Sequence, residues 1–155
     1  MKNKEQLDSY DLKIIEVLLR EGRIPVTELA KRIGISKSPC QARLKRLQDE
    51  GYILGFRAQV DYAKLQLEQV AFVEATMSNT REEMLSAFNK AVLATPEIEE
   101  CHMIAGSFDY LIKVRTSDVA SYRKVLAENI STLPGVSQTS TYVSMESVKD
   151  SNQKG

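Results

Sequence analysis

Apolar residues recur every three or four positions from Leu7 to Leu47, the spacing of helices that bury one face. Asp8 suits an N-cap, and Asp11 favours the positive end of the helix that follows. Leu7 and Leu12 stand where a hydrophobic staple would sit. Leu12, Ile15, Leu18 and Leu19 predict the inward stripe of this first helix, which Gly22 ends. Pro25 opens a second helix with Leu29, Ala30 and Ile33 inside. Gly34 supplies a left-handed turn, Ser36 is placed to cap a third helix, and Pro39 falls in its first turn, where no N–H is needed. Cys40, Leu44 and Leu47 predict the buried face of that helix. Helix, tight turn and helix make the layout of a helix-turn-helix.

After Gly51 the pattern changes. Residues 52–68 predict an extended link with a strand at its start, polar and irregular from Asp61 onward. Val70–Met77 predicts a strand, and Glu82–Ala94 a helix with Met84, Leu85, Phe88, Ala91 and Val92 on one side. Ile98–Ala105 and Tyr110–Arg115 predict two more strands around a turn at Gly106–Asp109. Asp118 caps a helix with the stripe Val119, Tyr122, Val125, Leu126 and Ile130. Pro134–Gly135 ends it, and Val136–Val143 is a last strand. The order β-α-β-β-α-β is that of the ferredoxin-like split unit, giving an α+β chain. The expected organisation is a helix-turn-helix domain at 1–51, the link at 52–68, and a ferredoxin-like domain at 69–155 ending in a polar, fraying tail.

Composition changes this picture little. The chain has 155 residues, 43% of them hydrophobic and 27% charged, as in ordinary globular proteins. No run approaches the ~20 apolar residues of a membrane span, and Met1–Gln6 lacks the apolar stretch of a secretory signal. Two cysteines are no disulfide framework, so a cytoplasmic protein with reduced thiols is expected. Net charge is zero, but residues 1–60 hold 12 basic and 8 acidic side chains, and residues 61–155 hold 9 and 13. An anionic partner is therefore expected for the first part only.

The third helix carries candidate chemistry. Ser38, Gln41, Ala42, Lys45 and Arg46 point away from its buried face, mixing cations with short hydrogen-bonding groups. Cations neutralise phosphates, while Gln and Ser address base edges. Double-stranded DNA is the expected partner, with Ser38, Gln41, Ala42 and Lys45 toward the groove and Lys37, Arg43 and Arg46 nearer the phosphates. Arg43 has the alternative of bracing the helix against its neighbour, and the whole face that of a merely solvated surface.

The turn Gly106, Ser107, Phe108, Asp109 and Tyr110 is the candidate effector site. Its N–H groups can receive a carboxylate and Asp109 can pair with an α-ammonium, while Ser137, Thr139, Ser140 and Thr141 add hydroxyls. A structural turn beside a Ser/Thr-rich strand is the alternative. Cys101-His102 is no nucleophile pair, since neighbours in a strand face opposite ways, and with one His there are too few soft ligands for zinc. No phosphate loop, dinucleotide fingerprint or nucleophile elbow is present, so no enzymatic activity, cofactor or metal is expected.

Several motifs in order carry a resemblance: Leu7-Asp8 with Asp11, Gly22-Arg23-Ile24, Glu28-Leu29-Ala30, Ser38-Pro39-Cys40 and Arg43-Leu44-Lys45-Arg46-Leu47, then Pro96-Glu97-Ile98, Phe108-Asp109-Tyr110-Leu111 and Leu133-Pro134-Gly135-Val136. The chain resembles the leucine-responsive/asparagine-responsive (Lrp/AsnC) family of transcription regulators from about Leu7 to Lys149, and within it proline-utilisation activators. The resemblance implies a winged helix-turn-helix and a C-terminal effector-binding and oligomerisation domain. It also implies homodimers that assemble to an octamer, and an amino-acid effector (leucine, proline or another) held between dimers near Gly106–Tyr110. Pro25 departs from the Ser that often caps the second helix there, a loss of about 1 kcal/mol. Two other classes compete: a small-molecule-binding module whose basic helix is incidental, and an architectural DNA protein without a ligand.

Overall fold

The computed structural model describes residues 7–149. The polar start Met1–Gln6 and the tail from residue 150 lie outside the described residues. The chain divides into two compact units, Met1–Ala58 and Gln59–Gly155.

The first unit holds α1 (Ser9–Arg20), α2 (Val26–Ile33) and α3 (Lys37–Asp49). A capping box starts α1. The Asp8 carboxylate accepts from the Tyr10 and Asp11 N–H groups, and the Asp11 carboxylate accepts from the Asp8 N–H at 3.0 Å. The buried side of α1 is only half the expected one: Ile15 and Leu18 pack on the core as expected. Leu12 is 55% and Leu19 82% exposed, while Ile14 and the Asp11 side chain are buried. Counting leucines put Leu12 and Leu19 inside because it left no inward place for a carboxylate. The expected staple partner Leu12 is therefore on the surface, although Leu7 packs on the core.

Pro25 precedes α2 with no side-chain cap, as its chemistry requires. Gly34 ends α2 with φ 78° and ψ 33°, the left-handed turn that places α3 against α2. Ser36 stands at the N-cap of α3, but its hydroxyl makes no capping bond. The core joins Ile14, Leu29, Ala30, Ile33, Cys40 and Leu47.

No strand forms at 52–68, contrary to the expectation for its start. An extended segment becomes a strand only by pairing along its length with a neighbouring strand, and among the described residues no strand pairs with this one. Farther along, Tyr62 lies against the Arg115 guanidinium, 3.8 Å from ring centroid to carbon, and the Leu67 carbonyl accepts from Arg115 at 3.3 Å. That end of the link is fastened to the second unit.

The second unit contains β1 (Gln69–Met77), α4 (Glu82–Leu93), β2 (Ile98–Met103), β3 (Tyr110–Thr116), α5 (Val119–Val125), a π-helical turn at Leu126–Ile130, and β4 (Val136–Val143). The sheet order is β2-β3-β1-β4 with every pair antiparallel. From Ala71 onward β1 alternates: Ala71, Val73, Ala75 and Met77 join Phe88, Ile112, Val114, Tyr122 and Ile130 in one core, while Phe72 faces the other side. The expected α5 stripe ran one residue too far, since Val119 is exposed. β2 ends at Met103, two residues short of expectation.

Candidate nucleic-acid interface and ligand region

α3 sorts its side chains into three groups. Cys40 and Leu47 are buried with Leu44 half-buried beside them; Lys37, Ser38, Gln41, Ala42 and Lys45 are exposed. The Lys45 ammonium sits 2.6 Å from Asp49 one turn on, an exposed pair that a phosphate can displace at little cost.

Arg43 and Arg46 form the third group, and Arg46 departs from the expected outward position. Together with Glu50 they occupy one flank of the helix, next to its buried face. Their side chains are 29% and 25% exposed. Arg43 Nη1 donates to Asp8 Oδ2 at 2.6 Å and to Asp11 Oδ1 at 2.8 Å. Arg46 Nη2 donates to Asp11 Oδ2 at 2.6 Å, and its Nη1 lies 3.9 Å from Glu50. The bracing alternative for Arg43 is the arrangement present, and Arg46 shares it. Burial pushes the Asp11 carboxyl upward, but the Asp8 N–H and the two guanidinium groups outweigh it and hold the group down at about 2. Asp11 and then Asp8 raise Arg43 in turn.

The expected effector residues converge only in part. Asp109 Oδ2 accepts from the Met77 N–H at 2.6 Å, and the Ser137 hydroxyl donates to the adjacent Thr76 carbonyl at 2.9 Å. The loop Gly106–Asp109 and the start of β4 therefore meet at one end of β1. Thr139 lies opposite Ala75, whose other neighbour is Tyr110. Gly106 and Ser107 are exposed, and Phe108 and Asp109 are half-buried. Tyr110 is buried instead of offered to solvent: its ring packs on Phe88 at 4.2 Å and its hydroxyl reaches Asn89 at 3.4 Å. Thr141 is committed to the Tyr122 hydroxyl at 2.6 Å. Ser140, paired with Glu74, lies on the opposite face of the sheet. The strand period separates these neighbours, so a Ser/Thr-rich run cannot supply one site with all its hydroxyls.

Two family models divide the chain where the structure does. Residues 7–53 match winged helix-turn-helix DNA-binding, and residues 70–154 match the Lrp/AsnC ligand binding domain. A proline dehydrogenase transcriptional activator of Rhizobium radiobacter is 60% identical over 146 residues, 94% of each chain. The leucine-responsive regulatory protein of Escherichia coli strain K12 is 43% identical over 149 residues, 96% of this chain and 91% of that one. Among solved structures, an AsnC family transcriptional regulator from Agrobacterium tumefaciens superposes with a TM-score of 0.88 at 28% identity, covering 96% and 97% of the two chains. A Neisseria meningitidis transcriptional regulator in complex with L-Met gives 0.86 at 27%, covering 94% of each.

The chain belongs to the Lrp/AsnC family. It is a DNA-binding transcription regulator with a winged helix-turn-helix unit and a ligand-binding domain. As an Lrp/AsnC regulator, it carries α3 within its DNA-binding match and the loop Gly106–Asp109 within its ligand-binding match. Beside that loop runs an open groove of about 600 Å³ between α4 and the edge strand β2, lined by Asn89, Leu93, Cys101, Met103 and Tyr110. Sequence reasoning missed it; Leu93, 88% exposed at the end of α4, was the available signal. Cys101 and His102 do point to opposite faces, paired with the buried Ile112 and with Leu111. Burial lifts the Cys101 thiol to about 11, so it stays protonated at neutral pH. Among the described residues no three His, Cys, Asp or Glu side chains are grouped to hold a metal, and no helix is long and apolar enough to cross a membrane.

Proposed function

We propose that this regulator reads operator DNA with the exposed row of α3 and changes its assembly when an amino acid binds at the Gly106–Tyr110 loop. Ser38, Gln41 and Ala42 meet base edges, and Lys37 and Lys45 meet phosphates. Asp109 receives the effector's ammonium and the N–H groups of Gly106 and Ser107 its carboxylate. The observation that carries this reading is the meeting of loop and β4 at the Thr76–Met77 end of β1, which puts an exposed backbone turn beside a half-buried carboxylate. The relative in complex with L-Met and the leucine-responsive relative favour an amino acid. The proline dehydrogenase activator at 60% identity makes amino-acid catabolism, proline use first, the process under control.

A cytoplasmic homodimer, assembling further to an octamer, is the form in which it acts. The uncovered sheet face with Phe72 and Tyr142 exposed supports such an association. Effector control then follows from unequal affinity of the amino acid for two assemblies. Calorimetric titration of proline, leucine and methionine into the protein, with light scattering before and after, tests this. Binding coupled to a change in assembly is expected; no heat and no change for any amino acid overturns it.

A further inference from the structure

Two of the cations on α3, Arg43 and Arg46, share one partner, Asp11. Its side chain is 1% exposed, with one oxygen bonded to Arg43 and the other to Arg46 and the Asp8 N–H. Moving either guanidinium onto a phosphate would take one of two cationic partners from a buried carboxylate, a costly exchange. Opening the exposed Lys45–Asp49 pair costs little. The two kinds of cation on one helix are thus unequal in what they can offer DNA.

We propose that Asp11 is a positioning residue for DNA reading: by holding Arg43 and Arg46 against α1, it keeps both off the phosphates and fixes which row of α3 faces the groove. The inference rests on the reading that α3 meets DNA. It predicts that the phosphate contacts of this helix come from Lys37 and Lys45, with Ser38, Gln41 and Ala42 left to read sequence. An Asp11 that served stability alone would change folding without changing how many phosphates are neutralised.

The test is the salt dependence of binding of the full chain to a mixed-sequence DNA duplex. Each phosphate contact adds roughly 0.9 to the slope of log affinity against log salt. Lys45→Ala flattens the slope by about that amount for each α3 engaged, and Arg43→Gln leaves it unchanged. Asp11→Asn keeps an acceptor for the Asp8 N–H but removes the charge that holds Arg46, while Arg43 keeps Asp8, so the slope steepens by about one contact per helix. Arg43→Gln flattening the slope as Lys45→Ala does would overturn the proposal, as would a folded Asp11→Asn with the wild-type slope. If Asp11→Asn does not fold, Arg43→Gln decides, because Arg46 still compensates Asp11. An unchanged slope in Lys45→Ala would instead remove α3 from the DNA, sinking both readings together.

Discussion

Asp11 and Asp109 are carboxylates of the two units, and each fastens a backbone N–H. They differ in what remains. Asp11 gives its oxygens to the Asp8 N–H, Arg43 and Arg46 and is closed to solvent. Asp109 gives one oxygen to Met77 and is half-buried, and among the described residues no donor is bonded to the other. The first is a completed structural knot, and the second is the fastener at which we propose the effector's ammonium binds. Charge alone does not separate them; burial and the count of partners do.

The largest way to break this contrast is to remove Asp11 outright. Asp11→Ala takes the buried acceptor from Arg46 and the Asp8 N–H and leaves Arg43 with Asp8, and is expected to cost about 3 kcal/mol of unfolding free energy in urea. A loss below ~1 kcal/mol would mean the knot is ornamental.

Acid should loosen the same knot. The Asp11 carboxyl is lowered from its ordinary 3.8 to about 2, so its contribution is complete above pH 3.8 and disappears as pH falls through about 2. After discounting for water around the partly exposed arginines, that contribution is on the order of 1–2 kcal/mol. Melting of wild type and Asp11→Asn across this window should converge at the acid end; parallel curves would contradict the assignment.

Asp109→Asn sharpens the contrast from the other side. An amide oxygen can still accept from Met77, so stability should change by less than about 1 kcal/mol. Amino-acid affinity should fall roughly 10-fold or more, a loss of about 1.4 kcal/mol in binding, read by calorimetry. The smallest effect is expected at Ser36→Ala, within about 0.5 kcal/mol, because the hydroxyl makes no capping bond. A loss near 1 kcal/mol there would show that the cap forms in solution.

Much of the fold was legible because local chemistry and tertiary packing agree. Gly34, Pro39 and the Cys40/Leu44/Leu47 face set the turn and third helix. Alternation in β1 and the two amphipathic helices gave the split βαββαβ order. What escaped depended on partners distant in sequence. Arg46 looked free until Asp11, 35 residues earlier, was brought beside it, and that same carboxylate takes an inward place on α1 while Leu12 and Leu19 of the predicted stripe stay exposed. The hydroxyls of β4 looked like one set until the strand period divided them between Tyr122, Thr76 and the opposite sheet face.

The central claim is that DNA binding by this regulator responds to an amino acid. The most direct measurement is a mobility-shift titration on the DNA upstream of its own coding region, at near-physiological salt with competitor DNA, with and without a pool of the protein amino acids. A specific shift whose midpoint or pattern changes with the pool, and with proline among its members, is the predicted result. A specific shift identical with and without the pool would contradict it.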